Sequence, residues 1–215
     1  MFVSVVLAII RLARTYVRVS VSAEITMFGG DGGVMCAMCD GRSIEDYVVG
    51  VEGLIDRYGW ALQYVSSRAD AELEGSGIQA DDGDDRDHLE DIVPAFCYTV
   101  GLTAHGHPEL ILTGRSAGES ASVLNVLARR ILFGCVRFEA GTECSAGGFE
   151  LSFVDVAESE DWLLMACRIY SGDNVSAVQA VWRDSDGNLP WEGDFPSSIV
   201  QPVLGPPPGW YDEFD

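Results

Sequence analysis

The chain has 215 residues, 47% of them apolar, with 34 acidic side chains against 13 basic ones and a formal net charge of −21. The apolar fraction argues against a disordered chain, and a mean hydropathy of +0.13 argues against a membrane-embedded one. So negative a surface is a poor direct partner for nucleic acid. Six cysteines are too sparse for a disulfide scaffold and suit a reducing cytoplasm, and every base is arginine, as a GC-rich coding bias would produce.

Residues 1–34 read as an N-terminal extension. The run from Phe2 to Ile10 is about half of the roughly 20 residues a membrane helix needs. A secretory signal carries its positive charge ahead of the apolar run, whereas Arg11, Arg14 and Arg18 follow it here. The alternation from Thr15 to Ile25 suits an edge strand. Gly29-Gly30-Asp31-Gly32-Gly33 stands just before Met35, and paired glycine codons are purine-rich enough to hide a ribosome-binding site. Translation is therefore expected to begin at Met35, leaving 181 residues.

Ser43 to Asp46 has capping-box spacing, Tyr47, Val51, Leu54, Ile55 and Tyr58 share one helical face, and Gly59 is a natural stop. Trp60 to Val65 reads as a strand. Residues 66–93 hold ten acids and no recurring apolar spacing, the pattern of an acidic disordered loop. Phe96–Leu102 and Glu109–Thr113 are expected to pair as antiparallel strands across the connection Thr103–Pro108. Ser116 to Glu119 is a second capping box, opening a helix with Val123, Leu124, Leu127, Ala128 and Ile131 inward, Arg129 and Arg130 in its last turns, and Gly134 at its end.

Phe149, Leu151 and Phe153 alternate with Glu150 and Ser152 as a half-buried strand should. A third helix is expected from Ser159, facing Trp162, Leu163, Ala166, Ile169 and Tyr170 inward. Ala177–Trp182 reads as a strand closed by the Asp184-Ser-Asp-Gly187 turn. Residues 205–215 look like a flexible, proline-rich, acidic tail. The element order implies an α+β fold: one domain over 35–204, a mainly antiparallel sheet, and about three helices packed on it.

Several residues invite chemistry. Gly114-Arg-Ser116-Ala-Gly118 matches the nucleophile-elbow pattern between a strand and a helix. That fold needs its histidine after the serine, yet His88, His105 and His107 all precede Ser116, whose helix cap already explains it. Cys36-Ala-Met-Cys39 can hold half a zinc site or cycle as a dithiol, and His105 and His107 could complete a tetrahedral set. The bland alternatives are incidental cysteines and a solvated hairpin turn.

Cys97, Cys135, Cys144 and Cys167 read as small core residues. Asp184, Asp186 and Asn188 imitate a calcium loop, but its obligatory glycine and glutamate would fall on Leu189 and Phe195. Tyr98, His105, His107, Glu109 and Trp182 are the ligand-binding candidates, and Trp60 and Trp191 are further aromatics for a pocket. No P-loop and no strand-associated dinucleotide fingerprint is present.

The Met35-Cys-Ala-Met-Cys-Asp-Gly41 string, followed by GWALQYV, PAFCYTVGL, GHPELILTG, the Leu-Ala-Arg-Arg helix and the Ala-Val-Trp, Asp-Gly and Pro-Trp signals near the end, resembles the DUF4262 family. That family is bacterial, mostly actinobacterial and phage. The resemblance runs from about Met35 to Leu204 and carries no established activity. Family members start near the Met-Cys-x-Met-Cys string, which agrees with a start at Met35, and usually carry another residue near Ser116. The expanded loop 66–93 and the residues before Met35 depart from the pattern.

The leading functional expectation is a cytoplasmic domain that binds a protein partner or small ligand without catalysis and without contact to membrane or nucleic acid. The rivals are a small metal- or cofactor-dependent enzyme using Cys36, Cys39, His105 and His107, with zinc or, more loosely, a flavin, and an acidic DNA mimic.

Overall fold

A computed structural model describes residues 24–28, 34–36, 43–66, 94–170 and 175–210, the first two stretches as backbone strands. The acidic loop from residue 67 to 93, the first 23 residues, Cys39, His88 and the tail beyond Trp210 lie outside the described residues.

Strand β1 (Glu24–Phe28) and strand β2 (Val34–Cys36) precede helix α1 (Ile44–Tyr58). The hydroxyl of Ser43 accepts from the Asp46 N–H to start that helix, and Gly59 at φ 90° ends it. Of the five side chains expected inward, Tyr47 and Val51 are fully buried and the other three half-buried. Strand β3 (Ala61–Ser66) follows, then β4 (Phe96–Val100), a 3₁₀ turn (Leu102–His105) and β5 (Glu109–Thr113).

Helix α2 (Ala117–Gly134) opens on the full reciprocal capping box of Ser116 and Glu119. It buries Val123, Leu124, Leu127, Ala128 and Ile131, as its spacing predicts. Arg129 and Arg130 stand in the turn before the last of a helix that ends at Gly134, as expected, and Cys135 caps it in the left-handed conformation at φ 52°. The placing of Cys135 in the core is corrected: Cys135 is exposed, Cys144 and Cys167 are half-buried, and Cys97 alone of the four is buried.

Strands β6 (Glu143–Ala146) and β7 (Phe149–Asp155) form a hairpin around Gly147-Gly148, both at positive φ. The third helix is broken into α3 (Ser159–Trp162) and α4 (Leu164–Ile169) by Leu163 at φ −102° and ψ 52°. Strand β8 (Ala177–Trp182) closes the sheet.

The eight strands run in the order β2-β1-β3-β4-β5-β8-β7-β6. Every pair is antiparallel except β5–β8, because α2, the hairpin and the two short helices intervene before the chain returns beside β5. The class is therefore the expected α+β, with one mainly antiparallel sheet. Trp60, Leu62, Leu110, Leu112, Phe153 and Trp182 pack with α2 on one face. On the other, Tyr98, Val100 and Ile111 meet α1 and α4.

Strand β7 is not half-buried as its alternation suggests. Ser152 and Val154 are buried along with Leu151 and Phe153, because β7 is flanked by strands on both edges and Val154 packs with Val181 and Leu189 on the face away from α2. The C-terminal stretch stays packed past Leu204: a Cβ on Gly205 would sit 1.9 Å from the Asp155 carbonyl oxygen.

Candidate functional site

The most concentrated polar chemistry among the described residues lies where β4 turns into β5. Gly101 leaves β4 at φ 135°, a conformation open to glycine alone, and a side chain there would press 2.6 Å from the Gly59 carbonyl oxygen. The turn exposes unpaired N–H groups at the start of the 3₁₀ segment, and the fully buried Glu109 carboxylate collects them. Gly101 N donates at 3.0 Å, Leu102 N at 3.3 Å and Thr103 N at 2.9 Å. The Thr99 hydroxyl donates at 2.6 Å while accepting from Leu110 N, and the Thr103 hydroxyl lies at 2.8 Å.

All five partners are neutral. Burial raises the Glu109 pKa above the ordinary carboxylate range, and the hydrogen bonds from Thr99, Thr103 and Gly101 pull it part of the way back. Burial, and after it the charge of Glu109, push the Tyr170 phenol up to about 12. Periodicity does not reveal this cradle. The legible signal is Thr99, Gly101 and Thr103 clustered at the end of a strand, opposite an acid in a segment otherwise apolar.

His107 is buried in the same turn with both ring nitrogens engaged. Its Nε2 accepts from Phe138 N at 2.9 Å, so the proton resides on Nδ1 and is donated to the Pro108 carbonyl at 2.6 Å. Burial holds its pKa below the ordinary value, with the Arg137 charge acting in the same direction and the Pro108 carbonyl opposing. The unfolded chain protonates this imidazole below about pH 6.5 while the folded chain resists, so its stability contribution is lost as pH falls through that value. The urea midpoint of the wild type is expected to fall more between pH 7 and pH 5 than that of His107→Gln. Identical falls would remove His107 from the acid response.

His105 is exposed on the 3₁₀ turn. The two histidines, neighbours but one in sequence, thus face different surroundings, and neither ring nitrogen of His107 is open to a metal. Cys36 ends β2, which stands three strands from β4, on the order of 14 Å at ordinary strand spacing. Its companion Cys39 lies outside the described residues. Among the described residues no group of three or more His, Cys, Asp or Glu side chains could hold a metal ion.

Nor do the aromatic candidates share a pocket. Tyr98 packs on the α1 side of the sheet, Trp60 and Trp182 on the α2 side, and Trp191 beside a third cluster. The Tyr98 hydroxyl accepts from Met165 N at 3.2 Å, an N–H released by the break at Leu163. Trp182 donates from Nε1 to the Thr113 carbonyl at 3.0 Å, and its ring carries the Arg115 guanidinium at 3.6 Å, with Phe149 4.5 Å away from the same group. Gln201 brackets the Trp182 backbone with two 2.9 Å hydrogen bonds. Ser116 is occupied as a helix cap, its hydroxyl 2.9 Å from the Glu119 carboxylate.

The family model described as a domain of unknown function, DUF4262, matches residues 54–196. That stretch contains the Glu109 turn, α2 and strands β3 to β8. The chain matches no curated protein and no solved structure. Among the described residues no helix is long and apolar enough to cross a membrane.

Proposed function

The chain belongs to the DUF4262 family, and on that footing we propose that it works by binding a protein partner or small ligand, without catalysing a reaction. One observation supports this reading. Four of the side chains that offer chemistry in the sequence are spent on holding the fold: Ser116 caps α2, His107 ties the turn to Phe138, Glu109 gathers five donors, and Tyr98 secures α4. A catalytic group needs a lone pair or proton free to meet substrate, and each of these would first have to surrender a structural bond.

The test is native mass spectrometry of the chain purified without chelator or reductant, combined with partner capture by the full chain. The expected result is the bare sequence mass together with a saturable partner or ligand. A metal or cofactor mass released on denaturation, coupled to turnover that is lost in Cys36→Ala or His107→Ala, would overturn the proposal.

A further inference from the structure

Acids outnumber bases 34 to 13 in this chain, so nearly every arginine should find a carboxylate. Among the described residues, Arg115, Arg137, Arg168 and Arg183 each pair with a glutamate, and Arg57 lies over the Tyr58 ring. Arg129 and Arg130 do not pair with any acid among the described residues, and both are exposed. They stand one turn before Phe133, which at 76% exposure is the most exposed large apolar side chain described.

The helix end assembles these groups into one surface. Cys135, in its left-handed conformation, and Val136 both donate their N–H groups to the Arg130 carbonyl, which folds the chain back over the last turn. Val136, 39% exposed, returns to within 3.7 Å of where a Gly134 side chain would begin. Arg137 is then anchored through the Gly106 carbonyl at 3.0 Å. Two exposed arginines without an acidic partner, Arg130 also hydrogen-bonding the Cys144 sulfur, thus stand one helical turn from an exposed phenyl, on a protein whose overall charge is strongly negative.

An exposed aromatic one turn from two arginines that lack an acidic partner is the chemistry of a contact surface and is out of place on a free solvated one. We infer that the end of α2, from Arg129 to Arg137, docks an acidic segment of a partner protein that carries an aromatic or aliphatic side chain between its carboxylates. Carboxylates would pair with Arg129 and Arg130 while the apolar group covers Phe133. A second copy would bring another net charge of −21 against this one, far more repulsion than a short acidic segment docked on the arginines meets, and two unpaired arginines are few for a polyanionic nucleic acid backbone. This inference rests on the binding reading and names its surface and partner chemistry.

The test titrates the isotope-labelled full chain with a synthetic twelve-residue peptide of Asp and Glu interrupted by two Phe, while alkylation of Cys135 is followed by peptide mapping. Amide shifts are expected to centre on residues 129–137, and Cys135 alkylation to slow several-fold on saturation. Arg129→Ser with Arg130→Ser, and separately Phe133→Ser, should each weaken binding by about tenfold or more. All three positions are exposed, so the remaining amide spectrum should stay folded and unchanged.

No shifts, shifts centred on α1, a stronger response to the same peptide with Lys replacing its acids, a stronger response to a twelve-residue oligothymidylate, or self-association through this surface would each overturn it. If the full chain captures a partner equally well with and without the three substitutions, this surface fails while the binding reading survives. A chain that binds nothing at all overturns both.

Discussion

Replacement of Glu109 by alanine is expected to destabilise the protein by about 4 kcal/mol, lowering its melting temperature by on the order of 10 °C. The carboxylate is fully buried and accepts from three backbone N–H groups and two hydroxyls, all supplied by residues 99–103. Removing it leaves those donors without an acceptor, and those of Thr99, Gly101 and Leu102 are too deeply buried to turn to solvent. Each buried unpaired donor costs about 1–3 kcal/mol before relaxation.

Glu109→Gln tests the charge separately from the shape. Its amide nitrogen would point a donor at other donors, so about 2–3 kcal/mol should still be lost near neutral pH. The pH dependence runs opposite to that of His107. Because the folded pKa is raised, the contribution of the Glu109 proton is fully present below the ordinary glutamate range and is lost as pH rises through the folded value. The gap between wild type and Glu109→Gln should therefore change with pH, measurable by urea denaturation at pH 4 and pH 7. A loss of under about 1 kcal/mol for Glu109→Ala would mean that the turn is not held by this carboxylate.

Gly101→Ala attacks the same turn from the backbone. At φ 135° an alanine is strained whatever the space around it, and its Cβ would meet the Gly59 carbonyl oxygen at 2.6 Å and the Trp60 Cα at 2.8 Å. Neither neighbour is a flexible side chain that can swing away. Relief requires β4 to separate from the α1–β3 connection, which also withdraws the Gly101 N–H from Glu109. The expected loss is about 3–5 kcal/mol, read as a lower denaturation midpoint with an unchanged dependence on denaturant. Gly106→Ala provides the contrast: it lies five residues on, also at positive φ, but with open space around its Cβ. It should cost only about 1 kcal/mol. Equal losses at the two sites would show that conformational strain, and not the backbone contact, sets the penalty.

Much of the fold was legible because its signals act over three or four residues. The Ser43 and Ser116 caps, the Gly59 stop and the inward stripe of α2 depend on neighbours within a helical turn, and each appears where the spacing places it. The β6–β7 hairpin is not legible in the sequence although a two-glycine turn marks it. Glu143–Ala146 offers only Cys144 and Ala146 as apolar side chains, too short a strand to show a period.

The failures share another cause. Apolar spacing predicts an unbroken third helix, but the tertiary fold interrupts it at Leu163 and gives the released Met165 N–H to Tyr98, 67 residues away. Burial of both faces of β7 follows from strands on its two edges and from Val181 and Leu189 beneath Val154, none of which its own alternation can register. The candidate site divides in the same way. Tyr98, His107, Glu109 and Trp182, the ligand-binding candidates, each hold defined hydrogen bonds in the core, whereas the histidine segment reads from its sequence as a solvated turn or a pair of metal ligands.

The sequence by itself determined the α+β class, the two long-capped helices and the family, because composition, capping and motif strings are local properties of the chain. Only the tertiary structure decided that Tyr98 and Trp182 occupy opposite faces of the sheet, that His105 and His107 part company, and that Glu109 becomes a buried acceptor for five donors. Those outcomes depend on which strand lies beside which: β8 settles parallel against β5 from 64 residues further along the chain, and no spacing within either strand encodes that meeting.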